Sequence, residues 1–120
     1  MLSRLVVKCT SGLDAPERTN QALTVCATAV AAGAQVSLWL TGEGAWLATP
    51  GHAAALQLEH AAAADDLLTA VLAGGRVTVC TQCAARRGLS QNDLLDGVRI
   101  AGAAVFVEES LTPGTQALVY

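Results

Sequence analysis

Three short runs rich in branched apolar residues, Arg4–Cys9, Gln35–Leu40 and Arg76–Cys80, stand far apart along the chain. The intervals between them carry helical spacing, not a tight turn. Antiparallel neighbours can be joined by a tight turn, whereas parallel neighbours need a long crossover, usually a helix. Strand–helix alternation therefore predicts βαβ units and a parallel sheet.

The first crossover helix is expected to start near Pro16, since proline suits a first helical turn. Ala22, Leu23, Cys26, Ala27 and Val30 recur every three or four residues and form its apolar face. Gly33 is placed as its left-handed cap. Thr41 to His60 is irregular, with a short helix expected at Ala45 to Ala48. The second helix is expected over Ala61–Leu72, closed by Gly74-Gly75. After the third strand a short helix runs to Gly88, and Ser90 caps another over Gln91–Asp96, with Asp93 capping in return. Val98–Ala101 is read as a helical turn or connector, Ala103–Val107 as strand four and Gln116–Val119 as a fifth, edge strand.

With 120 residues the chain suits one domain spanning 1–120. The predicted architecture is a single flavodoxin-like, three-layer α/β domain with a mainly parallel five-stranded sheet, order 2-1-3-4-5. That order sets strands one and three side by side and gathers Cys9, Cys80 and Cys83 towards one crevice at the carboxyl ends of the strands.

Composition narrows the function. Hydrophobic residues are 52% of the chain and charged ones 14%, the opposite of a disordered balance. So apolar a surface predicts burial against other subunits. Seven Lys and Arg, no basic run and a net charge of −3 argue against direct nucleic-acid binding. Asn20 to Gly42 is uncharged but broken by Gly33 and several polar residues, so it reads as helix, turn and strand and not as a membrane span. The start, Met1-Leu2-Ser3-Arg4, has no leader pattern. The four cysteines are accordingly expected to be reduced thiols in a cytoplasmic protein.

Cys80-Thr81-Gln82-Cys83 is a C-x-x-C motif at a strand end that opens a helix. Two thiols at this spacing can form a disulfide, share a metal, act singly or simply pack. Unpaired N–H groups at a helix start favour thiolate over thiol, and the thiolate is the nucleophile. Arg86 and Arg87 are expected to add positive potential. A zinc site needs four ligands, and neither His52 nor His60 is tied by sequence to the pair, so no metal or other cofactor is expected. A thioredoxin-like motif belongs near the amino terminus, whereas this one follows three strands. Gly42-Glu43-Gly44 and Gly74-Gly75 extend to no phosphate-binding signature. Asp65-Asp66 suits the start of a helix, and Trp46 either covers the crevice or fills a subunit contact.

The segment from Val79 to Leu89, with Cys80 followed by Arg86-Arg87-Gly88, and the later Asp93-Leu94-Leu95-Asp96-Gly97-Val98 together resemble the DsrE/DsrF-like sulfur-relay family and its TusD-like members. The opening strand, loop and helix and the closing strand at Val119-Tyr120 are similar too. The resemblance implies that Cys80 carries a persulfide and that Cys83 is the second cysteine of single-chain members. It also implies trimers or hexamers and protein donors and acceptors of sulfur. Three functions stay open on the residues: a sulfur carrier acting as a persulfide sulfurtransferase, a thiol–disulfide redox protein using Cys80 and Cys83, and a non-catalytic assembly domain.

Overall fold

The computed structural model describes residues 3–120. Met1 and Leu2, on which the expectation of no leader partly rests, lie outside the described residues. Five strands, β1 (Arg4–Cys9), β2 (Gln35–Leu40), β3 (Arg76–Cys80), β4 (Val98–Ala101) and β5 (Thr115–Val119), alternate with four helices. The helices are α1 (Pro16–Ala31), α2 (Ala64–Gly74), α3 (Thr81–Arg86) and α4 (Ala103–Leu111). All strand pairs are parallel.

Helix α1 begins with Pro16 in its first turn, as expected. It ends in a Schellman motif: Ala34 N–H bonds the Ala29 carbonyl and Gly33 N–H bonds that of Val30, with Gly33 at φ 90°. The inward faces of α1 and α2 pack on Val7, Leu38, Leu40, Val77 and Val79. Leu23 and Leu38 are wholly buried, each worth about 1.5–3 kcal/mol of apolar transfer.

The opposite face of the sheet presents Lys8, Ser37, Trp39 and Thr78 to α4. Trp39 meets Phe106 edge-on with ring centroids 5.3 Å apart. Ser37 Oγ and Trp39 Nε1 donate to Glu109 Oε1 at 2.6 and 3.0 Å. Arg99 pairs with the other carboxylate oxygen and donates from Nε to Thr78 Oγ1 at 2.6 Å. No residue of α4 is fully buried, so this helix is seated by polar and aromatic contacts.

The α/β class, the single domain-sized sheet and its five parallel strands are as expected; the neighbour relations are not. The strand order is 4-3-2-1-5, with β2 between β1 and β3 and with β5 on the far side of β1. Crossovers through α1 and α2 run in one direction along one face. Helix α4 lies on the other face, so its right-handed crossover runs back and delivers β5 beside β1.

Two segments exchange their expected roles. Val98–Ala101 is strand β4 and not a connector, while Ala103–Val107 belongs to helix α4 and not to a strand. A five-residue apolar run has no period that separates strand from buried helix. Here Phe106 and Glu109, three apart, both face the sheet, which fits the helical repeat. The second helix starts at Ala64, three residues later than expected, and Asp65 and Asp66 occupy its first turn. Ser90 and Asp93 form the expected capping box, but on a single 3-10 turn, Gln91–Asp93. The helix expected at Ala45 to Ala48 is a longer 3-10 segment, Gly42–Ala48. Among the described residues, no helix is long and apolar enough to cross a membrane.

Candidate functional site

Strand β3 leads straight into α3, and Cys80 is the residue at the joint, with φ −63° and ψ 132°. Its Cα partner on β4 is Ala101. The side chain is part-exposed, unlike those of Cys9, Cys26 and Cys83. Burial works against its ionisation. The N–H groups of Cys83 and Gln82, the Cys83 thiol and the charge of Lys8 outweigh that burial and hold the Cys80 thiol below its ordinary value. Backbone N–H groups at the start of α3 and the Lys8 charge thus favour the thiolate form at this position.

Cys83 is buried one turn into α3. Its sulfur accepts the Gly42 N–H at 3.2 Å. Gly42 adopts φ +54°, and a Cβ there would sit 2.8 Å from the Thr10 carbonyl oxygen. The residue must be glycine for the loop after β2 to approach both β1 and α3 so closely. Gly42 thus presses a backbone donor onto Cys83.

Arg87 donates from Nε and Nη2 to one oxygen of Glu43, at 3.0 and 2.8 Å, and from Nη1 to the Cys83 carbonyl at 3.1 Å. It clamps α3 to the loop, and its charge is matched by Glu43, so it does not supply the positive potential expected of it. Arg86 is exposed. The cation that acts on Cys80 is Lys8, from a strand two positions away in the sheet. Neither Lys8 nor Glu43 stood out in the sequence, since nothing in local spacing links them to residues 80–87.

Cys9 does not join the crevice. It points to the α1 face, opposite to Lys8, and is fully buried. Its Sγ donates to the Ser11 carbonyl at 3.3 Å, and burial raises its thiol above the ordinary value. Cys26 lies in the core under α1, and burial, with Cys9 nearby, pushes its thiol up to about 12. The crevice of three cysteines thus reduces to a pair, because β2 separates β1 from β3 and residue parity turns Cys9 to the other face.

His52 stacks on Trp46 with centroids 6.2 Å apart, and His60 is exposed in a turn at φ 58°. Among the described residues, no group of three His, Cys, Asp or Glu is placed to hold a metal ion.

Comparison with known proteins agrees with this architecture. No curated protein sequence matches the chain. Three solved structures are similar over nearly their whole lengths. They are the protein of unknown function MTH1491 from Methanobacterium thermoautotrophicum, the ychN protein from E. coli, and a conserved protein of unknown function, BT1422, from Bacteroides thetaiotaomicron. The first has a TM-score of 0.75 at 15% identity, covering 98% of this chain and 99% of that one. The second has 0.70 at 17%, covering all of both chains. The third has 0.59 at 16%, covering 98% and 95%. At such identities they speak for the fold alone. A model of the DsrE/DsrF-like family matches residues 4–112, nearly the whole sheet and all four helices. The chain therefore belongs to the DsrE/DsrF-like family, which is associated with sulfur relay.

Proposed function

We propose that the chain is a sulfur carrier that holds sulfane sulfur on Cys80 as a persulfide. The observation that carries this reading is the part-exposed Cys80 thiol, biased to thiolate at the joint of β3 and α3. The thiolate attacks the outer sulfur of a donor persulfide, R–S–SH. The donor S–S bond breaks, the electron pair leaves on R–S⁻, and Cys80–S–SH forms. An acceptor thiolate repeats the exchange. No external oxidant or reductant enters either step.

Cys83 sits beside the loaded sulfur. Its thiol can attack the inner sulfur of Cys80–S–SH, forming a Cys80–Cys83 disulfide and releasing H₂S. Two electrons from a thiol reductant then restore the pair. This adjacency also favours a second reading, a thiol–disulfide redox protein using the same two residues. Such chemistry suits a reducing compartment. Homo-oligomerisation, as trimer or hexamer, forms part of the proposal; Val107, Leu111, Leu118 and Val119 are exposed on α4 and β5 and offer apolar area for it.

The test is whole-protein mass spectrometry after incubation with a small-molecule persulfide donor. The wild type and Cys83→Ser should each gain the mass of one sulfur atom, and the adduct should last longer on Cys83→Ser. Cys80→Ser should gain none. A redox pair would instead lose activity with either substitution and trap no persulfide. Loading of Cys80→Ser would assign the carrier role to Cys83.

A further inference from the structure

We propose that Lys8 is the electrostatic partner of sulfur at Cys80, and that Phe106 of α4 positions its ammonium group for that role. Strand register sets the geometry. Lys8 pairs with Trp39, and Trp39 with Thr78, so these three side chains form one row across β1, β2 and β3. Cys80 lies two residues beyond Thr78 on β3 and, by the two-residue period of a strand, faces the same side of the sheet. A lysine stem of four methylenes carries the ammonium part of the way along that diagonal, so its charge acts on Cys80 through space and not by contact.

The ammonium does not wander freely. Its Nζ lies 4.1 Å from the Phe106 ring centroid, over the ring face. Phe106 is fixed in turn by its edge-on contact with Trp39, which is buried. Lys8 itself is half-buried and forms no ion pair within the described residues. Its charge is thus available to sulfur and not cancelled locally.

Other ionisable groups near Cys80 do not compete for this part. On α3, Cys83 is a thiol bonded by the Gly42 N–H, Arg87 is matched by Glu43, and Arg86 is exposed. On β4, Arg99 stands in the same row as Lys8, beside Thr78, but its charge is paired with Glu109 of α4. A fixed positive charge favours the thiolate before loading. On the carrier reading, it also favours a deprotonated terminal sulfur afterwards, and it selects sulfur cargo that arrives with negative charge.

The inference about the thiolate stands without sulfur transfer; only the persulfide part rests on the carrier reading. The experiment is the rate of Cys80 alkylation against pH, read by peptide mapping on the folded protein. Lys8→Met should move the midpoint up by about half a unit and, with the greater nucleophilicity of the more basic thiolate, lower the rate at neutral pH about twofold. Lys8→Arg should restore most of the loss. Phe106→Leu should give a partial shift in the same direction, and Phe106→Tyr, which keeps the ring, should behave as wild type. The Lys8 effect should shrink in about 1 M salt, where screening acts within about 3 Å.

A Lys8→Met midpoint equal to that of wild type overturns the proposal. A shift in Lys8→Met with none in Phe106→Leu overturns the positioning role of the ring. If Phe106→Leu does not fold, Phe106→Met takes its place, and a Phe106→Met midpoint equal to that of wild type overturns that role. Parallel persulfide loading of the wild type separates the two claims: absence of loading refutes the carrier reading while the midpoint still decides on Lys8.

Discussion

The four thiols should differ in reactivity by large factors, and the comparison of Cys80 with Cys26 is the sharpest. Consider a small neutral alkylating reagent applied to the folded protein at neutral pH. Cys26, pushed up to about 12 by burial, keeps about one molecule in 10⁵ as thiolate there. Cys80 titrates below the ordinary value of 9.0, so at least about 1% is thiolate. The difference in thiolate population is about a thousandfold. A more basic thiolate is the better nucleophile, with a Brønsted coefficient of about 0.4–0.5, which returns a factor of about 16–32. Ionisation alone therefore favours Cys80 by about thirty- to sixtyfold. Cys26 has no exposed surface, so its reaction must also wait for local opening, and the measured ratio should exceed that figure. Time-resolved alkylation with peptide mapping of all four cysteines measures the ratio directly. Modification of Cys26 or Cys9 at a rate within tenfold of Cys80, with circular dichroism showing the fold intact, would mean that ionisation and burial do not rank these thiols.

Stability should also fall on the alkaline side through Cys26. Its folded-state pKa is raised, so its contribution is complete below the unfolded value and is lost as pH rises towards about 12. Urea titrations should show the wild type losing up to about 1.4 kcal/mol per pH unit more than Cys26→Ala in that window, and parallel pH profiles would count against it. On the acid side the group to watch is Glu109. Burial raises its carboxyl, but hydrogen bonds from Ser37, Trp39 and Arg99, with the Arg99 charge, outweigh that and hold it below the ordinary value. Its contribution is therefore present above the unfolded value and disappears as pH falls through the folded one. Glu109→Gln should cost about 1–3 kcal/mol at neutral pH, speed hydrogen exchange in α4 and blunt the acid dependence. Unchanged stability and α4 protection would show that the cluster does not seat the helix.

Much of the candidate site is legible in the local sequence. Cys80 stands out because a strand end opening a helix is a local event: branched residues through Val79, then alanine and arginine, place the thiol at the joint whatever the rest of the fold does. Cys83, at i+3, follows from the helical repeat. The Ser90–Asp93 box and the Gly33 cap are local for the same reason. The segments that exchange roles are those where local pattern is silent. Ala103–Val107 reads equally as strand or helix until Trp39 and Ser37 of another strand receive Phe106 and Glu109.

Local sequence thus specifies the elements with a clear period, the parallel class that their alternation forces, and the place of the Cys80 and Cys83 pair at the start of a helix. Long-range packing selects which strands are neighbours and which charges meet. Helix α4 took the second face of the sheet because that face carries Trp39, Ser37, Lys8 and Arg99, able to receive an aromatic ring and a carboxylate. That choice sent β5 to the far edge, while the crossovers through α1 and α2 set β2 between β1 and β3 and, with residue parity, left Cys9 out of the site. The assembled sheet also brought Lys8, seventy-two residues away in sequence, to the side that Cys80 faces. Sequence spacing encodes periods over a few turns of chain, whereas the field at a thiol sums charges through space, from residues that only the folded sheet brings together.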